Sequence, residues 1–150
     1  MKKNIALLFI LCLSCSHSQI EKKINITYYK DSTDSIQKSK DLSLIFTIGF
    51  NTSQHFKIYV NNILLKRFTC KTDYSTGLSF LDNEHDSVAS LLIPYSLFKK
   101  NSFLRIETDK EYFKILITEK ARDYNTLYIS KDNNQWQASF ENSSETQIFE

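Results

Sequence analysis

The sequence predicts an all-β fold, a single antiparallel β-sandwich of about nine short strands. Three observations carry this. Apolar residues recur at every second position from Ile24 onward, the period of a half-buried strand. Turn-forming clusters interrupt that alternation at nearly regular spacing. Beyond the first residues, no segment shows the apolar period of an amphipathic helix. A closed barrel is the alternative arrangement of the same strands.

The N-terminus stands apart. Lys2 and Lys3 precede an unbroken apolar run, Ile5 to Leu13, and then the small residues Ser14, Cys15 and Ser16. These are the three parts of a secretory signal, expected as a helix over 1–14. The run is too short to span a bilayer, which takes ~20 apolar residues, and no later stretch comes close. A tether is expected over 15–23, the sandwich domain over 24–141 and a flexible tail over 142–150.

Within the domain, Ile24, Ile26 and Tyr28 alternate with polar residues and form the first strand. Lys30 to Asp41 is polar apart from Ile36 and reads as a linker. Leu42, Leu44, Phe46, Ile48 and Phe50 make the strongest strand, and Ile45 on its other side suggests burial on both faces. After a turn at Asn51–Gln54, Phe56, Ile58 and Val60 form the next strand. Asn61-Asn62 is a two-residue hairpin turn, because Asn tolerates positive φ. The return strand, Ile63 to Cys70, would place Val60 opposite Ile63 and Ile58 opposite Leu65. Phe68 and Cys70 would then lie on the wrong face, so a bulge is predicted near Lys66-Arg67.

Leu78 and Phe80 mark a strand after Ser75-Thr76-Gly77. Asp82–Asp86 reads as a polar loop, and Val88–Ile93 as a strand ended by Pro94. Tyr95–Lys100 suits one helical turn. Leu104 and Ile106 run into Asp109-Lys110, and Phe113, Ile115 and Ile117 run out. A last hairpin pairs Leu127 and Ile129 with Trp136, Ala138 and Phe140 across Lys131–Asn134, with Trp136 in the core.

The formal charge of +2 falls to zero once Lys2 and Lys3 leave with the signal. Nucleic-acid binding usually needs a basic excess, so it is set aside. Two glycines leave no phosphate-cradling loop, and no cofactor is expected. Three carboxylates within Asp82–Asp86 would suit Ca²⁺, but the sharp Gly turn and the spaced bidentate Glu are missing. A solvated connector is expected there, and no metal. Cys70 with His55 or His85 is the one nameable nucleophile set. It lacks flanking glycines, so no catalytic residue and no enzyme activity is expected. Cys70 itself reads as a small buried hydrophobe. Tyr59 and Tyr128 each sit between two core positions and point outward. They are the candidate ligand contacts, since tyrosine adds contact area at low entropic cost.

Leu13-Ser14-Cys15 resembles the lipobox of bacterial lipoproteins, with Cys12 where that family usually carries an aliphatic residue. The resemblance implies that Cys15 becomes the first mature residue and carries acyl chains. Ser16 after it implies outer-membrane sorting, and Ser16 to Lys23 lacks the acidic run that sends some lipoproteins to the cell surface, so a periplasm-facing position is expected. Ordinary cleavage near Ser16 or Ser18, giving a secreted or soluble periplasmic protein, is the alternative. With the hairpin Phe56 to Leu65, Thr72-Asp73 followed by Gly77, and the closing aromatic strand, the chain resembles small uncharacterised β-sandwich lipoproteins of Bacteroidetes-type bacteria. Val60 to Phe80 is also similar to transthyretin-like modules, so an immunoglobulin-like or transthyretin-like layout is expected. The resemblance itself implies no activity; the expected role is that of a non-catalytic envelope component for binding or assembly, with an envelope protein or a glycan as its partner. A glycan-binding accessory module is the alternative. Asp31-Ser32-Thr33 and Asp34-Ser35-Ile36 resemble the acceptor of the Bacteroidetes O-glycosylation system, which implies modification at Ser32 and Ser35.

Overall fold

The computed structural model of the chain describes residues 19–29 and 40–142. The expected signal helix, Cys15, Ser32 and Ser35 lie outside them, as do most of the linker and the tail. Among the described residues the fold is all-β, with twelve strands in two sheets and no α-helix. In chain order they are β1 (Ile20–Glu21), β2 (Ile24–Tyr28), β3 (Asp41–Phe46), β4 (Gln54–Val60), β5 (Ile63–Asp73), β6 (Leu78–Leu81), β7 (Glu84–Val88), β8 (Ser90–Pro94), β9 (Phe103–Glu107), β10 (Glu111–Leu116), β11 (Thr126–Asp132) and β12 (Gln135–Glu141). Short 3-10 turns cover Tyr95–Leu97, where one helical turn is expected, and Lys120–Asp123.

The seven-stranded sheet has the order β1-β10-β9-β4-β5-β6-β7, and the five-stranded sheet the order β2-β12-β11-β3-β8. Neither closes into a barrel. Their inner faces share one core, in which Phe46 of β3 meets Phe56 of β4 at 4.6 Å between ring centroids and Phe113 of β10 meets Trp136 of β12 at 4.7 Å. The chain steps from one sheet to the other five times, and the two shortest steps are at Lys22-Lys23 between β1 and β2 and at Ala89 between β7 and β8. Each of these two short steps joins an edge strand of one sheet to an edge strand of the other.

The structure departs from the expectations at several points. The pairing is mixed rather than purely antiparallel: β1 runs parallel to β10, β2 to β12 and β3 to β11. Alternation reports which face a side chain takes, not the direction of the neighbouring strand. The strand number rises because β1 lies inside the expected tether, and because β7 starts inside the expected Asp82–Asp86 loop and takes Val88 from the strand expected over Val88–Ile93, which breaks at Ala89. Neither has an apolar period of its own; each is recruited by backbone pairing at a sheet edge. Finally, the bulge falls at Leu65, one residue before the expected place. Ile58 faces Lys66 while Tyr59 faces Leu64, which sets Phe68 opposite Phe56 on the core side.

The strand expected to reach Phe50 ends at Phe46. Phe50 is still core, but Ile48 is 43% exposed. The break comes at Gly49, whose φ is +113°. Here the backbone passes so close to β11 that a Cβ on Gly49 would lie 2.0 Å from the carbonyl oxygen of Lys131. On either side, Thr47 N–H donates to the Ile129 carbonyl at 2.9 Å and Lys131 N–H to the Ile48 carbonyl at 3.0 Å. Gly49→Ala is expected to destabilise the fold by about 3 kcal/mol, through backbone strain and the clash. Gly77→Ala, with open space around its Cβ, should lose about 1 kcal/mol from its positive φ alone. Urea unfolding midpoints of the two variants check the difference.

Candidate functional site

The same alternation that sends Phe56, Ile58 and Val60 into the core turns His55, Lys57 and Tyr59 outward on β4. On β9 the outward residues are Phe103, Arg105 and Glu107, and on β10 they are Tyr112, Lys114 and Leu116. Strand pairing arranges them in rows across the seven-stranded sheet. One row reads Leu64, Tyr59, Arg105, Lys114, and the next Arg67, Lys57, Glu107, Tyr112.

Arg105 is the hub of this face. Its guanidinium carbon lies 4.6 Å from the Tyr112 ring centroid and 5.6 Å from that of Tyr59, within cation–π range of both. It also forms an ion pair with Glu107, a residue only 6% exposed. Lys114 Nζ lies 5.5 Å from the Phe103 ring and 3.6 Å from Glu21 Oε1. Tyr112 donates its hydroxyl to Glu21 Oε2 at 3.0 Å, and this bond, ahead of burial, raises its pKa. The Tyr59 phenol is raised by burial first and then by the charge and hydrogen bond of Glu107. Four cations, Lys57, Arg67, Arg105 and Lys114, face two carboxylates, Glu107 and Glu21, so the surface carries aromatic rings under net positive charge.

The two candidate tyrosines are not brought together. Tyr59 stands on the outer face of the seven-stranded sheet. Tyr128 stands on the outer face of the five-stranded sheet, on the far side of the core. Arg105 and Tyr112, which complete the Tyr59 cluster, carry no signal of their own in the sequence. The phase of Leu104 and Ile106 turns Arg105 outward, but nothing in the chain order says that β9 lies beside β4.

A second feature lies at the end of the molecule where β3, β5 and β11 finish. The segment after β3, the turn Asp73–Gly77 and the turn Asn133-Asn134 enclose two clefts, of about 280 Å³ and 910 Å³. The smaller is lined by Gly49, Lys131, Asp132, Asn133 and Asn134, the larger by Ser53, Lys71, Asp73 and Asp82. Tyr74 and Asn51 line both and divide them, with the Tyr74 hydroxyl donating to Asn51 Oδ1. Asp73 caps its own turn: Oδ1 accepts from the Ser75 hydroxyl and N–H, which holds its carboxyl below the usual range.

Of the nucleophile set, Cys70 and His55 are not brought together, and the side chain of His85 lies outside those described. Cys70 is fully buried, and burial, with the charge of Asp82 behind it, pushes its thiol up to about 12. His55 faces the opposite side of the sheet and bonds Thr69 Oγ1 at 2.6 Å. Among the described residues, no group of three or more His, Cys, Asp and Glu side chains is placed to hold a metal ion. Asp82 lies in the β6–β7 turn and Glu84 opens β7.

No family model, curated protein or solved structure matches this chain.

One carboxylate ties the two sheets together near the clefts. Glu111 Oε1 accepts from Trp136 Nε1 at 2.9 Å and from Lys131 Nζ, and Oε2 lies 3.9 Å from Lys22 Nζ. Burial would raise its pKa, but the hydrogen bonds of Lys131 and Trp136 and the charges of Lys131 and Lys22 outweigh it and hold the carboxyl below its ordinary value of 4.5. A carboxyl depressed by folding gives stability that is full above its unfolded value and lost as pH falls through the lower native one. Urea midpoints are therefore expected to drop on acidification below pH 4.5. Glu111→Gln should flatten part of that drop and remove about 1.5 kcal/mol at neutral pH. Superimposable pH profiles for the two proteins would take Glu111 out of this role.

Proposed function

We propose that this protein is a non-catalytic lipoprotein of a bacterial cell envelope, held at the outer membrane and facing the periplasm, where it binds or assembles with an envelope partner. The observation that carries the reading is the junction between leader and fold. The three-part signal ends at Cys15, and the first strand begins at Ile20. Cleavage before Cys15 therefore removes no described residue, and the acylated cysteine stands next to the domain. Two or more acyl chains hold a protein firmly where one does not. Cleavage near Ser16 or Ser18 would release the same domain into the periplasm or medium. Two sheets around one core support the sandwich description, in an immunoglobulin-like or transthyretin-like layout.

Intact-mass measurement on the native protein tests this. The expected mass starts at Cys15 and includes at least two acyl chains, with sugar increments if Ser32 and Ser35 are O-glycosylated. A mass that retains Met1, on cytosolic material, would overturn the export reading. A mass without sugar removes the glycosylation alone.

A second reading is favoured by one observation, the stack of Tyr59, Arg105 and Tyr112 under net positive charge. Rings beside a guanidinium suit an acidic glycan, through sugar stacking and carboxylate pairing. The protein is expected to be retained on an immobilised uronate polymer more than on a neutral one, and less as salt rises. Arg105→Ala and Tyr59→Ala should each weaken retention about tenfold. Tyr128→Ala, on the other face, should leave it unchanged. Equal loss in all three variants would sink this reading.

A further inference from the structure

The chain enters the domain at one defined end. Gln19 Nε2 donates to the Thr108 carbonyl at 2.6 Å, Ile20 N–H to the Lys110 carbonyl at 3.1 Å and Lys22 N–H to the Tyr112 carbonyl at 2.8 Å. These bonds fix β1 beside the start of β10, at the Asp109-Lys110 turn. The Asn133-Asn134 turn, the segment after β3 and the Asp73–Gly77 turn lie at this same end, because β3, β5 and β11 all run toward it. It is the end where both clefts open.

Four residue steps separate Cys15 from Gln19, a reach of at most about 14 Å. The seven residues of β4 alone rise about 23 Å toward the opposite end. An acyl-bearing Cys15 is therefore on a leash shorter than the domain is long. It can set the cleft end on a membrane, but it cannot set the Asn61-Asn62 end there. Around the point of entry, Ile20 is 61% exposed, and Lys22, Lys23 and Lys110 are exposed as well. An exposed apolar side chain at the same end as exposed lysines suits a headgroup layer, which offers phosphates above the acyl boundary. Glu21, Asp73, Asp82, Asp109 and Asp132 at the same end offset these charges. The leash sets the orientation more than charge does.

Resting on the lipid-anchor reading above, we propose that the cleft end lies against the bilayer surface, with Ile20, Lys22, Lys23 and Lys110 among phospholipid headgroups. The clefts then open toward the membrane, and the Asn61-Asn62 end points away from it. The outer face of the seven-stranded sheet stands upright and is reached from the side.

The test uses the full, processed protein in vesicles of phosphatidylcholine and phosphatidylglycerol. A fluorophore is placed on Lys110→Cys or on Asn62→Cys, both exposed turn positions. The buried Cys70 does not compete for the label. Headgroup spin-labelled lipid is expected to quench the Lys110→Cys label several-fold more than the Asn62→Cys label. A flexible Gly/Ser insert of about 20 residues after Ser18, with an end-to-end distance of about 25 Å, should bring the two signals together. Equal quenching without the insert, or stronger quenching at Asn62→Cys, overturns the orientation if the same sample carries acyl chains on Cys15. A sample without acyl chains overturns the anchor reading itself, and the mass spectrum tells the two failures apart.

Discussion

The structure depends on one contact layer, the aromatic seam between the sheets. Phe46, Phe50 and Trp136 approach it from the five-stranded side, and Phe56, Phe68 and Phe113 from the other, with ring centroids about 5 to 6 Å apart. Rings of this size fill the space between two sheets about 10 Å apart. Every strand that contributes a ring must keep its alternation in phase with the seam. The Leu65 bulge follows from that demand: without it β5 would turn Phe68 to solvent. The outer rows follow too, because residues between two seam positions have nowhere else to point.

Polar groups at the cleft end are drawn into the same constraint. Thr72 and Ser79 are buried, and their hydroxyls answer each other and the Thr47 carbonyl, while Thr72 Oγ1 also accepts from Phe50 N–H at 2.9 Å. Each closes a hydrogen bond that a bent, strand-free segment would otherwise leave open. Glu111 does the corresponding work on the other side, where the Trp136 indole N–H would be buried without an acceptor. The cleft end is thus rigidly framed although it is built from turns.

Most of the strand pattern was legible in the residues because period two is a direct consequence of a one-sided core. Leu127 faces Phe140 and Ile129 faces Ala138, as the spacing predicts, and Trp136 is core. Asn61 takes the positive φ its hairpin needs. Strands held only at an edge were not legible: Ile20–Glu21 is too short to show a period, and Glu84–Val88 is mostly polar. Strand direction was hidden as well, since a parallel and an antiparallel neighbour ask for the same alternation. Of the candidate site, the outward setting of Tyr59 could be read, but its partners Arg105 and Tyr112 could not. They come from two strands more than forty residues downstream, and lateral order is set by topology rather than by local sequence.

The parallel clasp of the first strands has a kinetic consequence. β2 finds its partner only when Trp136 to Phe140 is available, and β1 only when Glu111 and Tyr112 are. A ribosome delivers those segments long after residue 28, so the beginning of the domain must wait for its end. Contacts this distant in sequence also make for slow folding. Until β10 is in place, the polypeptide ahead of β1 is not yet clasped to the domain. During this interval the edges of β10 and β12 that β1 and β2 later cover are open to any other extended segment.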